Sequence, residues 1–211
     1  MRFLRLFVCI GVSLVFAGCA TAPQQSVDSS KIVTLNIPEQ TRVDKDQRAA
    51  LPLQVCPGMH VSNAPGADAN RRLVNYRPYS RVHGVTLATA PVDACLSSGF
   101  GPRRGGASSH HNGVDLYTRT PTPIYAAGDG RVNFAATMRG YGRVIEIAHS
   151  NRVKSRYAHL SSFAQNLRVG DRIREGDLIG YTGATGNATA VHLHYEILVD
   201  GRPRNPLAAS F

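Results

Sequence analysis

Three short segments in the C-terminal half of this 211-residue chain carry side chains that could act together: His111 and Asp115 in HHNGVDL, His159 in YAHLS, and His192 and His194 in VHLHYEILV. Along an extended strand alternate side chains share a face, so Leu193, Tyr195, Ile197 and Val199 fall on one side and His192, His194 and Glu196 on the other. The first set builds core. The second presents two imidazoles about 6.6 Å apart along the strand, close enough to serve one site, although such a pair alone also fits an incidental polar face. His111 and Asp115 would stand about 13 Å apart on a straight strand, too far for direct bonds of about 2.0 to 2.2 Å to one zinc ion. The chain must bend between them. Asn112 and Gly113 tolerate positive φ and are where it could bend, with Val114 and Leu116 anchoring the strand below. Considered alone, this segment also fits a surface turn with a solvated aspartate, and a lone strand-end histidine such as His159 is often structural. Jointly, the three segments supply imidazole nitrogen and carboxylate, a donor set suited to zinc, with imidazoles to spare for proton transfer.

The order and spacing of HxxxD at 111–115, YAHLS at 157–161 and HLHYE at 192–196 resemble the lysostaphin and LytM type of zinc metallopeptidase. The similarity also takes in SGFGPR at 98–103, PIYAAGDGRV at 123–132, residues 169–180 and residues 183–186, and so covers about 120 residues from Pro91 onward. One departure is that Ala190 and Val191 stand where the family commonly has Gly and Pro before the HLH. The resemblance implies that His111, Asp115 and His194 bind Zn2+ and that His159 and His192 are the catalytic imidazoles; strand parity alone does not decide which of His192 and His194 holds the metal. It also implies an endopeptidase acting on the peptide cross-links of peptidoglycan in wall remodelling or division. The alternative in the same family is a catalytically silent, wall-binding relative that activates a separate amidase after losing zinc ligands, but all five positions are intact here.

Three protein ligands leave zinc's fourth position to water, whose pKa falls towards about 7 there. There is no HExxH motif, so an imidazole must take or give the proton, and His159 and His192 fit that work. Glu196 shares the histidine face and could orient an imidazole or form a structural salt bridge. Tyr141 and Tyr181 lie in glycine-rich stretches, where they could line a groove or pack a loop. His60, His83, His110 and His149 read as structural or solvated; His110 could compete for the metal, but the register with Asp115 favours His111.

The elements that must position these residues are short. From Cys95 onward, turn signals recur at 105–106, 128–130, 140–142, 150–151, 170, 176, 183–186 and 200–201. The stretches between them, rich in Val, Ile, Tyr and Phe, predict strands at 131–137, 143–149, 153–159 and 191–199. This is an all-β reading: antiparallel sheets of hairpin strands forming a groove, with no repeat that would suggest a propeller or solenoid. Residues 91–211 form the LytM-like zinc metallopeptidase domain. Residues 51–90, with prolines at 52, 57, 65, 78 and 91 on or beside them, form an accessory segment with an isolated strand near 82–88.

The N-terminus reads as a signal peptide over 1–18: Arg2 and Arg5 precede an apolar stretch at 6–16 that is too short to span a bilayer comfortably. Cys19 after Ala17 and Gly18 resembles the acylated cysteine of bacterial lipoproteins, with Phe16 at the position usually held by leucine. Ordinary cleavage after Ala22 is the rival reading. Residues 19–50 are polar and read as a lipidated N-terminus and flexible tether with one candidate strand at 32–37. A lipid on Cys19 implies membrane attachment in the cell envelope, and Ala20 resembles an outer-membrane sorting signal facing the periplasm. In a two-membrane bacterium the cross-links would be D-alanyl-diaminopimelate rather than oligoglycine. An amidase or division partner fits that setting.

Removing Cys9 with the signal and assigning Cys19 to lipid leaves Cys56 and Cys95, most simply a disulfide in an oxidising envelope. A catalytic thiol at Cys95 is the alternative, but no activating base is evident beside it. The formal net charge of +10 is carried almost wholly by arginine, since Lys31, Lys45 and Lys154 are the only lysines. No basic run is interleaved with aromatics and the chain carries an export signal, so the charge points to anionic envelope polymers and not to nucleic acid.

Overall fold

The computed structural model describes residues 52–61, 63–103, 109–150, 152–208 and 210. The signal peptide, Cys19, the tether and the candidate strand at 32–37 lie outside them. The described residues contain strands and no helix, in keeping with the all-β reading.

The strands are β1 (Tyr79–Val82), β2 (Val85–Ala88), β3 (Cys95–Ser98), β4 (Gly101–Pro102), β5 (His110–His111), β6 (Val114–Tyr117), β7 (Pro123–Tyr125) and β8 (Gly130–Met138). They continue as β9 (Gly142–Ala148), β10 (Val153–Leu160), β11 (Ser162–Phe163), β12 (Arg172–Ile173), β13 (Leu178–Tyr181), β14 (His192–Val199) and β15 (Arg202–Arg204). The main sheet runs β12-β8-β9-β10-β14-β6-β3, with β15 also paired to β14, and every pairing in it is antiparallel. A smaller sheet, β11-β13-β7, stands apart.

β14 is the central element. Its odd-numbered residues Leu193, Tyr195, Ile197 and Val199 join the core with Val114 and Leu116 of β6, Ile145 and Ile147 of β9, and Val153 and Tyr157 of β10. Burying each such side chain contributes about 1.5–3 kcal/mol, which pins the parity of β14 and hence the face on which its histidines stand. Tyr195 completes its burial by donating to Ala88 O at 3.0 Å, and the Tyr157 hydroxyl accepts from Ala127 N at 2.8 Å.

The predicted strands at 131–137, 143–149, 153–159 and 191–199 each match an observed one to within a residue at either end. The single strand read near 82–88 is instead the hairpin β1–β2. His83 (φ 44°) and Gly84 (φ 82°) make a two-residue turn between Val82 and Val85. Positive φ at both central residues suits the twist of a hairpin, and histidine is not among the usual markers of that turn. Leu53, Val55, Leu73, Val82, Leu87 and Ala88 all enter the same core cluster as β14. Cys56 and Cys95 form the expected disulfide, with Cα atoms 4.9 Å apart, and Cys95 is therefore not a free thiol.

Candidate metal centre

The bend demanded between His111 and Asp115 is present: β5 ends at His111, and β6 resumes at Val114. Neither Asn112 nor Gly113 takes positive φ to make it. What requires glycine at 113 is close approach, since a Cβ there would overlap the Tyr195 carbonyl and meet the Glu196 side chain. The turn thus lies directly against β14. In the register of β6 on β14, Asp115 stands opposite His194, while on the other flank Ala158 of β10 stands opposite His194.

This pairing brings three donor atoms together. His194 Nδ1 is 2.8 Å from Asp115 Oδ1, His111 Nε2 is 3.1 Å from the same oxygen, and the two nitrogens are 3.0 Å apart. Neighbouring ligand atoms around a tetrahedral zinc with bonds of about 2.0–2.1 Å are separated by about 3.3 Å. The observed triangle is therefore tighter by at most about half an ångström than what zinc requires, and two imidazoles with one carboxylate suit that ion. His111 and His194 are buried and Asp115 is partly so.

The hydrogen bonds define which nitrogen of each ring is available. A backbone carbonyl can only accept, so a ring nitrogen against one must carry the hydrogen, leaving the lone pair on the other. His111 Nδ1 lies 2.7 Å from Gly99 O and 3.1 Å from Ser98 Oγ, which frees Nε2 for the triangle. His194 is turned the other way: its Nε2 donates to Glu196 Oε1 at 3.0 Å and Nδ1 joins the triangle. His159 Nδ1 donates to Thr185 O at 2.7 Å and His192 Nδ1 to Ala190 O at 2.8 Å, so each keeps an Nε2 lone pair. The rings of His159 and His192 are 4.8 Å apart, and His159 is 5.8 Å from the ring of His194. All five sequence-predicted residues therefore meet at one place. His192 Nε2 is 3.7 Å from Asp115 Oδ1, beyond direct contact.

His159 occupies its place under constraint. Its φ is 64°, and the pairing of β10 with β9 shifts register between Tyr157 and Leu160. A left-handed conformation at a non-glycine residue is held only by its surroundings, here by His159 N donating to Tyr141 O at 2.9 Å and by the side-chain bond to Thr185.

The electrostatics follow from burial and partners. Burial opposes charge on His194, but its hydrogen bonds to Asp115 and Glu196 outweigh that and raise its pKa to about 9. Burial likewise opposes charge on Asp115, and the His111 and His194 contacts prevail, holding it well below the usual carboxylate range. Desolvation lowers His159 to about 4, so it is neutral at neutral pH. Glu196, wholly buried, is kept low against desolvation by His194, Arg156 and Tyr141.

Beneath the triangle runs a row of charges across three strands: Glu146 of β9, Arg156 of β10 and Glu196 of β14 are cross-strand neighbours. Arg156 Nε donates to Glu146 at 2.8 Å and its NH1 to Glu196 Oε2 at 2.7 Å. Tyr141 donates to Glu196 Oε1 at 2.9 Å, and the Arg156 guanidinium sits 5.0 Å from the Tyr141 ring centre. Glu196 thus serves both roles the sequence left open.

Tyr141 lines the cleft over the site, a cavity of about 390 Å3 that also touches Arg103, Asn187 and Thr189, whereas Tyr181 pairs with Ser162 and Pro123 in the small sheet. His110 borders the cleft edge-on to Phe100 but is not in the triangle. Sequence reasoning passed over Arg103, whose NH1 is 3.8 Å from Asp115 Oδ2, and Arg156. Arg156 could have been found by parity, since it shares a face with Lys154 and not with Val153 or Tyr157. The carbonyls of Gly99, Thr185 and Ala190 carry no side-chain signal at all.

Residues 109–206 match the profile of peptidase family M23. It is 40% identical over 100 residues to the DD-carboxypeptidase/endopeptidase Mpg of Neisseria meningitidis, covering 47% of this chain and 23% of that protein. It is 40% identical over 136 residues to the peptidoglycan DD-endopeptidase ShyC of Vibrio cholerae, covering 62% and 31% respectively. Thus the chain spans a quarter to a third of the length of these curated relatives. Among solved structures, a zinc-containing peptidase from Vibrio cholerae superposes with a TM-score of 0.53 at 32% identity, over 65% of this chain and 42% of that one. The catalytic domain of lysostaphin from Staphylococcus simulans superposes with a TM-score of 0.50 at 30% identity, over 54% of this chain and 90% of that domain.

Proposed function

We propose that this protein is a zinc-dependent metalloendopeptidase that hydrolyses the peptide cross-links of peptidoglycan. The observation that carries the reading is the triangle of His111 Nε2, Asp115 Oδ1 and His194 Nδ1, each within 3.1 Å of the others, beside two further imidazoles that keep a lone pair. The names of the relatives, peptidoglycan endopeptidases and zinc peptidases, support the substrate and the metal.

His111, Asp115 and His194 hold the ion. Bound there, zinc supplies Lewis acidity, activating water near neutral pH and polarising the scissile carbonyl. The protein's own groups do the rest. His159, kept neutral by burial and oriented through Nδ1 by Thr185 O, offers Nε2 to take a proton from the attacking water. His192, oriented by Ala190 O, offers a second Nε2 across the same cleft, and the proton that an imidazole takes from the water is delivered to the leaving amine as the C–N bond breaks. The intact ligand set argues against a silent, amidase-activating role. Tyr141 and Arg103 border the cavity that a wall peptide enters.

Attachment to the outer membrane through a lipid on Cys19, facing the periplasm, completes the proposal and rests on the N-terminal sequence. It makes D-alanyl-diaminopimelate bonds the preferred target and leaves room for a division or amidase partner.

Isolated sacculi incubated with the purified soluble chain test the activity. Zinc-dependent loss of cross-linked muropeptide dimers is expected, abolished by chelator and by His194→Ala. Dimers that survive a protein with zinc bound refute the enzymatic reading.

A further inference from the structure

We infer that Asn63, far outside the family region at 109–206, is a positioning residue of the metal site, so that the N-terminal segment of the folded unit completes the centre. The inference rests on the zinc reading above. His111 presents Nε2 to the ion only while Nδ1 donates its hydrogen to Gly99 O, at 2.7 Å. That carbonyl is itself held from the other side. Asn63 Nδ2 donates to Gly99 O, and Gly99 N donates to Asn63 Oδ1 at 3.0 Å, so one side-chain amide grips both polar groups of residue 99. The approach is close enough that a Cβ on Gly99 would overlap the Asn63 carbonyl, which accounts for glycine at this position.

The segment that leads into Asn63 is in turn tied to the strand that leads to Gly99. Cys56 is disulfide-bonded to Cys95, Cys56 N donates to Leu96 O at 3.0 Å, and Leu96 N donates to Gln54 O at 2.7 Å. The Arg71 guanidinium ties the loop by donating to the carbonyls of Val55, Cys56 and Met59. The disulfide-anchored segment 54–59 thus leads along the backbone to Asn63, and hydrogen bonds run from Asn63 through Gly99 to a ligand imidazole. Outer partners of this kind fix ring orientation and tautomer, and their loss typically weakens metal binding by about 10–100-fold.

The test is a competitive zinc titration of the metal-free chain against a chromophoric chelator, with four proteins: wild type, Asn63→Ala, Asn63→Asp and His111→Ala. Asn63→Asp keeps the acceptor for Gly99 N but removes the donor to Gly99 O, and its near-identical shape protects against a folding defect. Wild type binding tightly, with both Asn63 variants weaker by about 10–100-fold and His111→Ala weaker still, supports the inference. A nitrogen-15 NMR spectrum supplies a signature that a merely structural role would not move: the His111 Nδ1–H resonance, protected in wild type, shifts and exchanges faster in both Asn63 variants. Asn63 variants that bind zinc and show this resonance as wild type does overturn the inference while leaving the zinc reading intact. A wild type that takes up no more zinc than His111→Ala overturns the zinc reading itself.

Discussion

Replacing Glu196 by glutamine is nearly isosteric and separates the two tasks that its carboxylate performs. As glutamate it only accepts: Oε1 from His194 Nε2 at 3.0 Å and from Tyr141 at 2.9 Å, and Oε2 from Arg156 NH1 at 2.7 Å. An amide has one acceptor oxygen and one donor nitrogen. If the oxygen faces His194 and Tyr141, the NH2 meets the Arg156 guanidinium, donor against donor. The buried pair is then broken, although Arg156 keeps Glu146. Removing one partner of a buried ion pair costs about 3–5 kcal/mol, and the surviving contact argues for the lower end, about 3 kcal/mol. For a chain of this size that lowers Tm by roughly 6–12 °C. If the amide turns the other way, NH2 faces His194 Nε2, and the ring must give up that hydrogen and carry it on Nδ1, where the metal would bind. Zinc affinity then falls by about 10–100-fold. Metal-free thermal unfolding and zinc titration at pH 7, run on the same preparations, read the two losses separately. Glu196→Gln that matches wild type in both measurements would falsify the assignment of Glu196 as the group orienting His194.

His194 gives the pH dependence. Its pKa of about 9 in the metal-free protein means that below this pH both ring nitrogens carry hydrogen, and an ion taking Nδ1 must expel one. Zinc affinity should therefore rise about tenfold per pH unit towards pH 9 from this group alone, with proton release on binding measured by calorimetry in buffers of different ionisation enthalpy; no release at pH 7 contradicts the assignment. The sign for stability is the reverse: a raised pKa stabilises the metal-free fold fully below the unfolded value near 6.5, and that contribution is lost as pH rises through about 9. The disulfide closes a sequence separation of 39 residues, worth about 4 kcal/mol in the chain-entropy account. Cys56→Ser with Cys95→Ser should lower unfolding stability by about that amount in denaturant titration, and an unchanged midpoint refutes the estimate.

The legible part of the fold was what periodicity controls. In β14 the alternation of apolar and polar residues set the core face, and the four long strands were visible because Val, Ile and Tyr cluster between glycine turns. The β1–β2 hairpin was missed because its turn is made by His83 and Gly84, a pair with weak turn preference compared with Asn-Gly. At the bend before Asp115 the need was correct and the mechanism was not: Gly113 is there for the backbone of Tyr195, a residue more than eighty positions away along the chain, and no local reading contains that contact.

The proposed division of labour among the histidines could not be read from residue types. Each imidazole has the same composition; what differs is the acceptor behind it. His111, His159 and His192 all stand with Nδ1 on a backbone carbonyl and present Nε2, while His194 alone is reversed by a carboxylate two residues along its own strand. An i, i+2 pair on a strand puts Glu196 on the same face as His194, so that reversal is a consequence of strand parity that HLHYE already encodes. The other three depend on Gly99, Thr185 and Ala190 being brought to the site by loops, which only the assembled sheet determines. Of the two imidazoles left outside the triangle, His159 is additionally held at φ 64° and neutral by burial. An uncharged side chain with its lone pair open, outside the triangle, fits the proton-accepting role proposed for it.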